Sequence, residues 1–292
     1  MAKQPAQFEV QPVLGLYNSG KLAEAEVAAK KLISQYPETF ILYQVLGLAQ
    51  DGLNKFDEAV DSYQKALALQ PNTPDLHFNL GIALTNVGRQ EEAAKSYAQA
   101  IKLRPTFFEA YANLGTILQK QGKLEEAIKN YQHALSIHED PRGHFNLGTA
   151  LRDEGKLDEA ITHFKQAIAM FPNYADAHNY LGECYRDQGN MEDAVKKYFD
   201  TLALNKNHPG ANYNMGEFLY LAGRYDEAVG YLERSKLDDW QERALYCTYK
   251  AEHFDAFKTK LENIVQTGAK HNAPFLQTLS THYATNFGVE DT

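Results

Sequence analysis

Small and aromatic residues recur along this chain with the spacing of one helical face. In the first clear example, Ala59 is followed by Tyr63 and then by Ala66, at i, i+4 and i+7. These positions form one stripe of an α-helix, on which alanines allow close approach of a second helix and the ring fills the space beside them. The same trio recurs, whole or in part, at Ala93, Tyr97 and Ala100; Ala127, Tyr131 and Ala134; Ala160, Phe164 and Ala167; and Ala194 and Tyr198.

A residue suited to positive φ precedes each of these helices at a nearly constant interval. Asn54 lies midway between Gly20 and Gly88, and Asn shares with Gly the ability to take positive φ. Such a residue ends one helix before the next begins, and a proline such as Pro71 stops the second helix. A period near 34 residues therefore predicts a stack of helix-turn-helix units. The turn glycines are Gly20, Gly88, Gly122, Gly155, Gly189 and Gly223.

This frame resembles the tetratricopeptide repeat. The resemblance rests on a Leu-Gly pair such as Leu80-Gly81, the turn glycine, the two alanines with their aromatic residue, and the closing proline. It implies an all-α fold, a right-handed superhelical α-solenoid in which each unit contacts mainly its neighbours. Within residues 1–271 we place seven units and a degenerate eighth, with the bounds 6–39, 40–73, 74–107, 108–140, 141–174, 175–208, 209–237 and 238–271.

The two ends depart from the repeat. Val13 and Ala29 occupy the glycine and aromatic positions of the first unit, and Ser235 replaces the second alanine of the seventh. Terminal units of such stacks are commonly atypical because one of their faces meets solvent. Residues 272–287 carry an apolar residue every four positions, which predicts a capping helix, and residues 288–292 form a tail.

Charge and composition favour a protein or a peptide as the partner. The chain has 29 Lys and Arg against 38 Asp and Glu, a net charge of −9, which argues against binding to nucleic acid or to an anionic membrane surface. Two cysteines, Cys184 and Cys247, are too few for a disulfide framework, and the first residues do not read as a secretory signal. We therefore expect a cytoplasmic protein, and the sequence leaves its oligomeric state open.

The sequence contains no recognisable catalytic motif. Two triplets, His138-Glu139-Asp140 and His253-Phe254-Asp255, have a spacing with which a two-His-one-carboxylate iron site can begin. The second aligns with the repeat turns and the first falls in a loop between units, so we interpret neither as a metal ligand. We expect no catalytic residue, no metal site, no cofactor and no enzymatic activity.

A ladder of asparagines is the main candidate binding feature. In this family the first helices line the concave side, and the residue before Leu-Gly or Met-Gly is Asn79, Asn113, Asn146 or Asn214, with Asn179 one residue away in the sixth unit. A side-chain amide offers an acceptor and two donors, which matches the N–H and C=O of a peptide bond. The ladder resembles that of the repeat domain of O-GlcNAc transferase and predicts contacts with a peptide main chain. The alternative is that these amides bond within the stack.

Further inward positions would add selectivity. They place Thr116 and Lys120 in the fourth unit, Arg152 in the fifth and Arg186 in the sixth. Because an aspartate follows each arginine, the arginines either hold a ligand carboxylate or form salt bridges between neighbouring units. The ring of Tyr213 either anchors an apolar ligand side chain or packs between helices.

Three functions are compatible with these features. The first is a non-catalytic adaptor that binds an extended peptide or partner segment in its concave groove. The second is the substrate-recruiting module of a larger enzyme, such as a protein glycosyltransferase, because the chain stops abruptly after its last predicted helix. The third is a self-assembling scaffold that uses its convex or end surfaces.

Overall fold

The protein is all-helical, as its sequence pattern predicts. The structure is a computed structural model that describes residues 5–237, 240–251, 253, 256 and 259–260. Within these residues every long regular element is an α-helix and no strand occurs. The predicted all-α class is therefore confirmed.

The chain divides into two compact units, which we describe separately as the first unit (Met1–Gly155) and the second unit (Lys156–Thr292). The first unit contains α1 (Gln7–Asn18), α2 (Leu22–Ile33), α3 (Phe40–Gly52), α4 (Phe56–Leu69), α5 (Pro74–Asn86), α6 (Gln90–Leu103), α7 (Phe108–Lys120), α8 (Leu124–Ile137) and α9 (Pro141–Asp153). The second contains α10 (Leu157–Met170), α11 (Ala175–Asp187), α12 (Met191–Leu204), α13 (Pro209–Leu221), α14 (Tyr225–Ser235) and α15 (Trp240–Lys250).

Consecutive helices pack as hairpins. In the first unit the hairpins are α1–α2, α3–α4, α5–α6 and α7–α8, and each second helix also packs on the first helix that follows. In the second unit the hairpins are α11–α12 and α13–α14, with α10 packed on α11 and α15 on α14. The bounds that we assign to individual repeats remain predictions, and the predicted capping helix 272–287 and tail 288–292 lie outside the described residues.

Two glycines serve two different purposes in the α5–α6 hairpin. Gly88, between α5 and α6, has a φ of +79°, and a Cβ added there would meet no atom within 4 Å, so the backbone angle selects glycine. Gly81, inside α5, is selected by space, because a Cβ there would lie 2.6 Å from Cε1 of Tyr97. Asn54 takes the turn conformation with a φ of +59°, as its position in the period predicts.

The repeated frame of small and aromatic residues forms the core of the hairpins that carry it. Tyr97 is buried against Gly81 and is flanked by Ala93 and Ala100, which are both fully buried. The predicted small–aromatic–small stripe is therefore buried in the helices that carry all three residues, which are α4, α6, α8 and α10. In the second unit, Tyr198 packs in the same way against Gly182.

Candidate functional site

A cleft of about 300 Å³ opens in the first unit across α5, α7 and α9, and we call it the α7–α9 cleft. Its wall is built from the N-terminal halves of these first helices and from the C-terminal end of α8. Two of the predicted ladder asparagines, Asn113 and Asn146, line it together. The other residues used below that line it are Phe78, Phe108, Glu109, His138, Asp140, Arg142 and Gly143.

The local sequence between α8 and α9 shapes this cleft. After α8 the chain extends at His138 (φ −144°, ψ 117°) and re-enters a helix at Pro141, which suits the first helical position. Gly143 then lies so close to α8 that an added Cβ would be 2.8 Å from Cδ2 of Leu135. Because α9 has no side chain at that point, it packs tightly on the end of α8, and Asn146 follows one turn later.

The side-chain amides of Asn113 and Asn146 make few hydrogen bonds within the protein. Asn113 donates only a long hydrogen bond, 3.4 Å from its Nδ2 to the hydroxyl of Tyr97. Among the described residues, no protein group hydrogen-bonds the side chain of Asn146 or of Asn79, and all three asparagines are partly exposed. Their donors and acceptors are therefore available to a ligand.

Aromatic rings supply the apolar part of the cleft. Phe78 stacks at a tilt on Phe107, with ring centroids 4.7 Å apart, and on Tyr97 at 5.8 Å. Phe108 contacts the ring of His138, with centroids 4.6 Å apart. These contacts hold both phenylalanines in place, so a ligand would meet a preformed apolar surface beside the amides.

Charges of both signs stand at the rim. The side chain of Arg142 is 82% exposed, and its Nε lies 3.9 Å from Oδ2 of Asp140, so this ion pair contributes little to stability. Glu109 is also exposed along the same wall. The rim can therefore contact polar groups of a partner without first breaking a strong internal pair.

Thr116 and Lys120, the other predicted residues of α7, have different environments. The Thr116 hydroxyl donates to the carbonyl of Ala112 at 3.1 Å and accepts from the hydroxyl of Tyr131 at 3.1 Å, so it is bonded inside the hairpin. Burial raises the pKa of Tyr131, which keeps that phenol protonated as a donor. Lys120 is exposed at the end of α7, and no described residue lies within hydrogen-bond distance of its amine.

Arg152 lies partly buried near the end of α9, and its neighbour Asp153 is bonded to the preceding hairpin. The amide of Gln119 donates to Oδ2 of Asp153 at 2.7 Å. Because Gln119 also accepts from Tyr131 at 3.1 Å, this chain of contacts ties α9 to the α7–α8 hairpin. Of Arg152 and Asp153, the aspartate therefore takes part in a hydrogen bond between neighbouring repeats.

The asparagines of the second unit are bonded internally. Asn179 and Asn214 are 2% and 6% exposed, and Nδ2 of Asn214 donates to Oδ1 of Asn179 at 3.3 Å and to Oε1 of Glu183 at 3.2 Å. Asn179 donates to the same Glu183 oxygen at 2.8 Å, and Arg186 donates to Oδ1 of Asn214 at 2.9 Å. This network occupies the amides that the ladder hypothesis assigns to a ligand, whereas those of the first unit remain open.

The remaining predicted residues of the second unit also have protein partners. Arg186 contacts Oδ1 of the adjacent Asp187 through Nη2 at 3.0 Å, in addition to Asn214. The ring of Tyr213 lies under the guanidinium of Arg243, 5.4 Å from the ring centroid, in a cation–π contact. Both side chains therefore have roles within the second unit.

Sequence reasoning missed several residues of the cleft. Phe108, Glu109 and Arg142 are not part of the predicted ladder, because they lie at the beginning of their helices and away from the Leu-Gly position. The sequence does mark the connection between α8 and α9 as different, because the interval between Gly122 and Gly155 is one residue shorter than the other intervals between successive turn residues.

Two properties of the described residues bear on the kind of site. Among the described residues, no group of three or more His, Cys, Asp or Glu side chains could hold a metal ion. Within the same part of the chain, each helix is too short or too polar to cross a membrane.

Family models match the region that contains these hairpins. Models described as "Tetratricopeptide repeat" match residues 145–212 and 107–173. A model described as "TPR repeat" matches residues 53–88 and 83–122. Together the matched stretches run through residues 53–212, which is more than half of the chain.

Solved structures resemble the chain over most of their own lengths. YrrB, a TPR protein described as having an unusual peptide-binding site, is 26% identical, with a TM-score of 0.56 over 63% of this chain and 95% of that one. A MamA protein is also 26% identical, with a TM-score of 0.55 over 58% of this chain and 93% of that one.

A third structure extends the likeness in fold to more of the chain. A tetratricopeptide repeat protein from Parabacteroides merdae is 17% identical, with a TM-score of 0.65 over 83% of this chain and 98% of that one. No curated protein matches the sequence significantly. The hairpins, their glycine and tyrosine packing, and the matched family models together assign this chain to the tetratricopeptide-repeat family.

Proposed function

We propose that this protein is a non-catalytic adaptor that binds an extended peptide, or an extended segment of a partner protein, in the α7–α9 cleft. The observation that carries the proposal is that Asn113 and Asn146 line one cleft with side-chain amides that the protein itself hardly uses. An Asn side chain matches the N–H and C=O of one peptide bond whatever the ligand side chains are.

The ladder that we propose is confined to the first unit. It comprises Asn79, Asn113 and Asn146, whose amides are accessible, and it excludes Asn179 and Asn214, whose amides bond to each other and to Glu183. Its likeness to the asparagine ladder of O-GlcNAc transferase is therefore limited to these three positions.

The apolar and charged groups of the cleft fit a peptide better than a small anion or a nucleic acid. Phe78 and Phe108 offer ring surface for an apolar side chain, which is a common anchor in peptide recognition. The rim carries Glu109 and Asp140 as well as Arg142, so it lacks the clustered positive charge that a nucleic-acid backbone requires. The peptide-binding site named for YrrB is consistent with this use of the fold.

The proposal is tested by replacing the two amides and measuring peptide affinity. Peptides are first selected from a random-peptide phage library on the full chain, and their affinities are then measured by fluorescence polarisation. We expect the N113A/N146A variant to bind about tenfold more weakly or worse, because two pairs of hydrogen bonds to the ligand main chain are lost.

A matched control separates recognition from folding. The N72A/N86A variant removes two exposed asparagines of the same unit that do not line the cleft, and we expect it to bind like the native chain. Far-UV circular dichroism should give both double variants the native helix content. Unchanged affinity in a folded N113A/N146A variant would show that the ladder is structural, and the proposal would then be wrong.

A further inference from the structure

One face of α1 is open to solvent and carries a large apolar ring. Phe8, Gln11, Pro12 and Gly15 have the spacing of a single helical face, and all four are exposed. Phe8 is 77% exposed, more than any other large hydrophobic residue that the structure describes. An apolar ring held in water on a helix of regular structure marks a surface that can gain free energy by being covered.

The later first helices bury the positions that α1 leaves open. Leu42 and Ala49 follow Phe8 and Gly15 by one period of 34 residues, and both are fully buried in α3, which packs on α2. In α9 the position of Phe8 is taken by Gly143, which lies against the end of α8. The face that α1 leaves open is thus one that this architecture elsewhere covers with another helix.

Nothing within its own chain requires a glycine at position 15. An added Cβ on Gly15 would meet no atom within 4 Å, and its φ is not in the left-handed region that favours glycine. A glycine inside a helix is also less stable than an alanine. Elsewhere in the first unit, glycines of the first helices receive an aromatic ring, as Gly47 receives Tyr63 and Gly81 receives Tyr97. A ring that approaches Gly15 from outside the chain would explain this residue in the same way.

The exposed ring and the exposed glycine fit each other across a two-fold axis. Phe8 and Gly15 are seven residues apart, which is about 10.5 Å along the helix. In an antiparallel pair of α1 helices whose two-fold axis passes between Gln11 and Pro12, each phenylalanine lies opposite the glycine of the other copy. A two-fold interface needs such self-complementarity, because both copies contribute the same patch.

The distribution of charge favours a second copy as the occupant of this face. Glu9 is the one charged residue of α1, and its carboxylate accepts hydrogen bonds from the Tyr36 hydroxyl at 2.9 and 3.0 Å and from the main-chain N–H of Ala6 at 2.8 Å. The exposed face is itself uncharged, so two copies can meet there without bringing like charges together, although the chain has a net charge of −9. A partner of either charge would find no complementary group on it.

We propose that two copies of this chain associate through α1 as an antiparallel pair, in which Phe8 of each copy packs on Gly15 of the other. Because one pair of helices buries less surface than a standard interface, the dimer should have a dissociation constant of about 10–100 µM. Neither residue lines the α7–α9 cleft, so this association is independent of the proposed peptide binding.

Sedimentation equilibrium of the full chain tests the association. Between about 1 and 300 µM the native mass should rise from that of a monomer towards that of a dimer, and F8A and G15A should each weaken association about tenfold or more. G15A is the sharper variant, because alanine should stabilise the monomeric helix. At about 1 µM, where the chain is monomeric, G15A should therefore be at least as stable as the native chain in urea, which separates lost association from lost folding.

Two matched controls lie in the second unit. F199A removes an exposed phenylalanine of α12, and G230A adds a Cβ in α14 at an ordinary contact distance of 3.5 Å from Nη1 of Arg234. Both variants should dimerise like the native chain. A native chain that stays monomeric up to 300 µM or so, or equal dimerisation of folded F8A and G15A, would overturn the proposal.

Photocrosslinking identifies what the ring contacts. Phe8 is replaced by p-benzoylphenylalanine, the variant is mixed with ¹⁵N-labelled native chain and irradiated, and the cross-linked peptides are identified by mass spectrometry. Crosslinks between the two isotopes should fall in α1 of the native copy, next to Gly15. Crosslinks to the α7–α9 cleft or to another face would overturn the antiparallel pair. The N113A/N146A variant should dimerise normally, so failure of the peptide proposal and failure of this one remain distinguishable.

Discussion

The packing of Tyr97 on Gly81 is a sharp test of how each hairpin is held together. A Cβ at Gly81 would lie 2.6, 2.8 and 2.9 Å from Cε1, Cδ1 and Cζ of the Tyr97 ring, whereas ordinary contacts begin at 3.4 Å. The ring is 2% exposed and is bounded on another side by Phe78, so it has no open space into which to move. We therefore expect G81A to force apart α5 and α6.

The magnitude follows from two opposing effects. Alanine stabilises a helix interior relative to glycine by about 1 kcal/mol, and overpacking a dense core costs about 1–3 kcal/mol. Because the shortest contact involves a ring atom in a fixed side chain, we expect the cost of overpacking to exceed the gain in helix propensity. G81A should then lower the free energy of unfolding by about 1–2 kcal/mol.

The matched control is G15A, in α1. An added Cβ at Gly15 meets no atom within 4 Å, so helix propensity alone should act there and raise stability by about 0.5–1 kcal/mol. Urea unfolding of the full chain, followed by far-UV circular dichroism, measures both changes. Hydrogen exchange in α5 and α6 locates the loss, since the stability of repeat proteins is distributed over neighbouring units.

A double variant tests whether the Tyr97 ring is responsible. Y97L alone should destabilise the protein by removing core contacts, and G81A/Y97L should cost less than the two single changes added together, because the clash is gone. G81A as stable as the native chain, with G15A behaving as expected, would refute the packing argument.

Two further predictions concern charged and capping side chains. Lys30 and then Lys55 hydrogen-bond Glu26 and hold its pKa at about 2, below its ordinary 4.5, despite the opposing effect of burial. The low pKa stabilises the folded state above pH 4.5, and this stabilisation is lost as the pH falls towards 2. In urea unfolding measured across that pH range, E26Q should therefore lose about 1–3 kcal/mol less stability on acidification than the native chain does. An unchanged pH profile would contradict this expectation. His208 caps α13, because its Nδ1 accepts the main-chain N–H of Ala211 at 3.1 Å while its Nε2 lies 2.9 Å from Oδ1 of Asp176. H208A should therefore lower the free energy of unfolding in urea by about 1 kcal/mol, and H208N should restore part of that loss. Equal loss in both variants would argue against the capping role.

The cleft was only partly predictable from the sequence. The period identifies Asn113 and Asn146 as equivalent residues on successive first helices, and the structure brings them to one surface. The contribution of Arg142 was not predictable, because it depends on how closely α9 approaches α8 at Gly143, where a Cβ would meet Leu135 at 2.8 Å. That approach is a property of two packed helices and is not visible in either helix alone.

The sequence alone determined the hairpins, because every signal that makes them is local. A residue with positive φ at Gly88 ends one helix, and the stripe of Ala93, Tyr97 and Ala100 defines the face that the next helix buries. Such features depend on backbone angles and on contacts within about one repeat, so the period is enough to predict them.

Only the tertiary structure decided which equivalent residues are available for binding. Asn146 and Asn214 occupy the same position of the repeat, yet the amide of Asn214 is bonded to Asn179 and Glu183, whereas that of Asn146 lines a cleft. Asn179 and Glu183 are 35 and 31 residues away from Asn214 in sequence. Whether a polar side chain is hydrogen-bonded within the protein depends on which donors and acceptors of neighbouring helices lie within about 3 Å of it. The period of the sequence does not specify those neighbours.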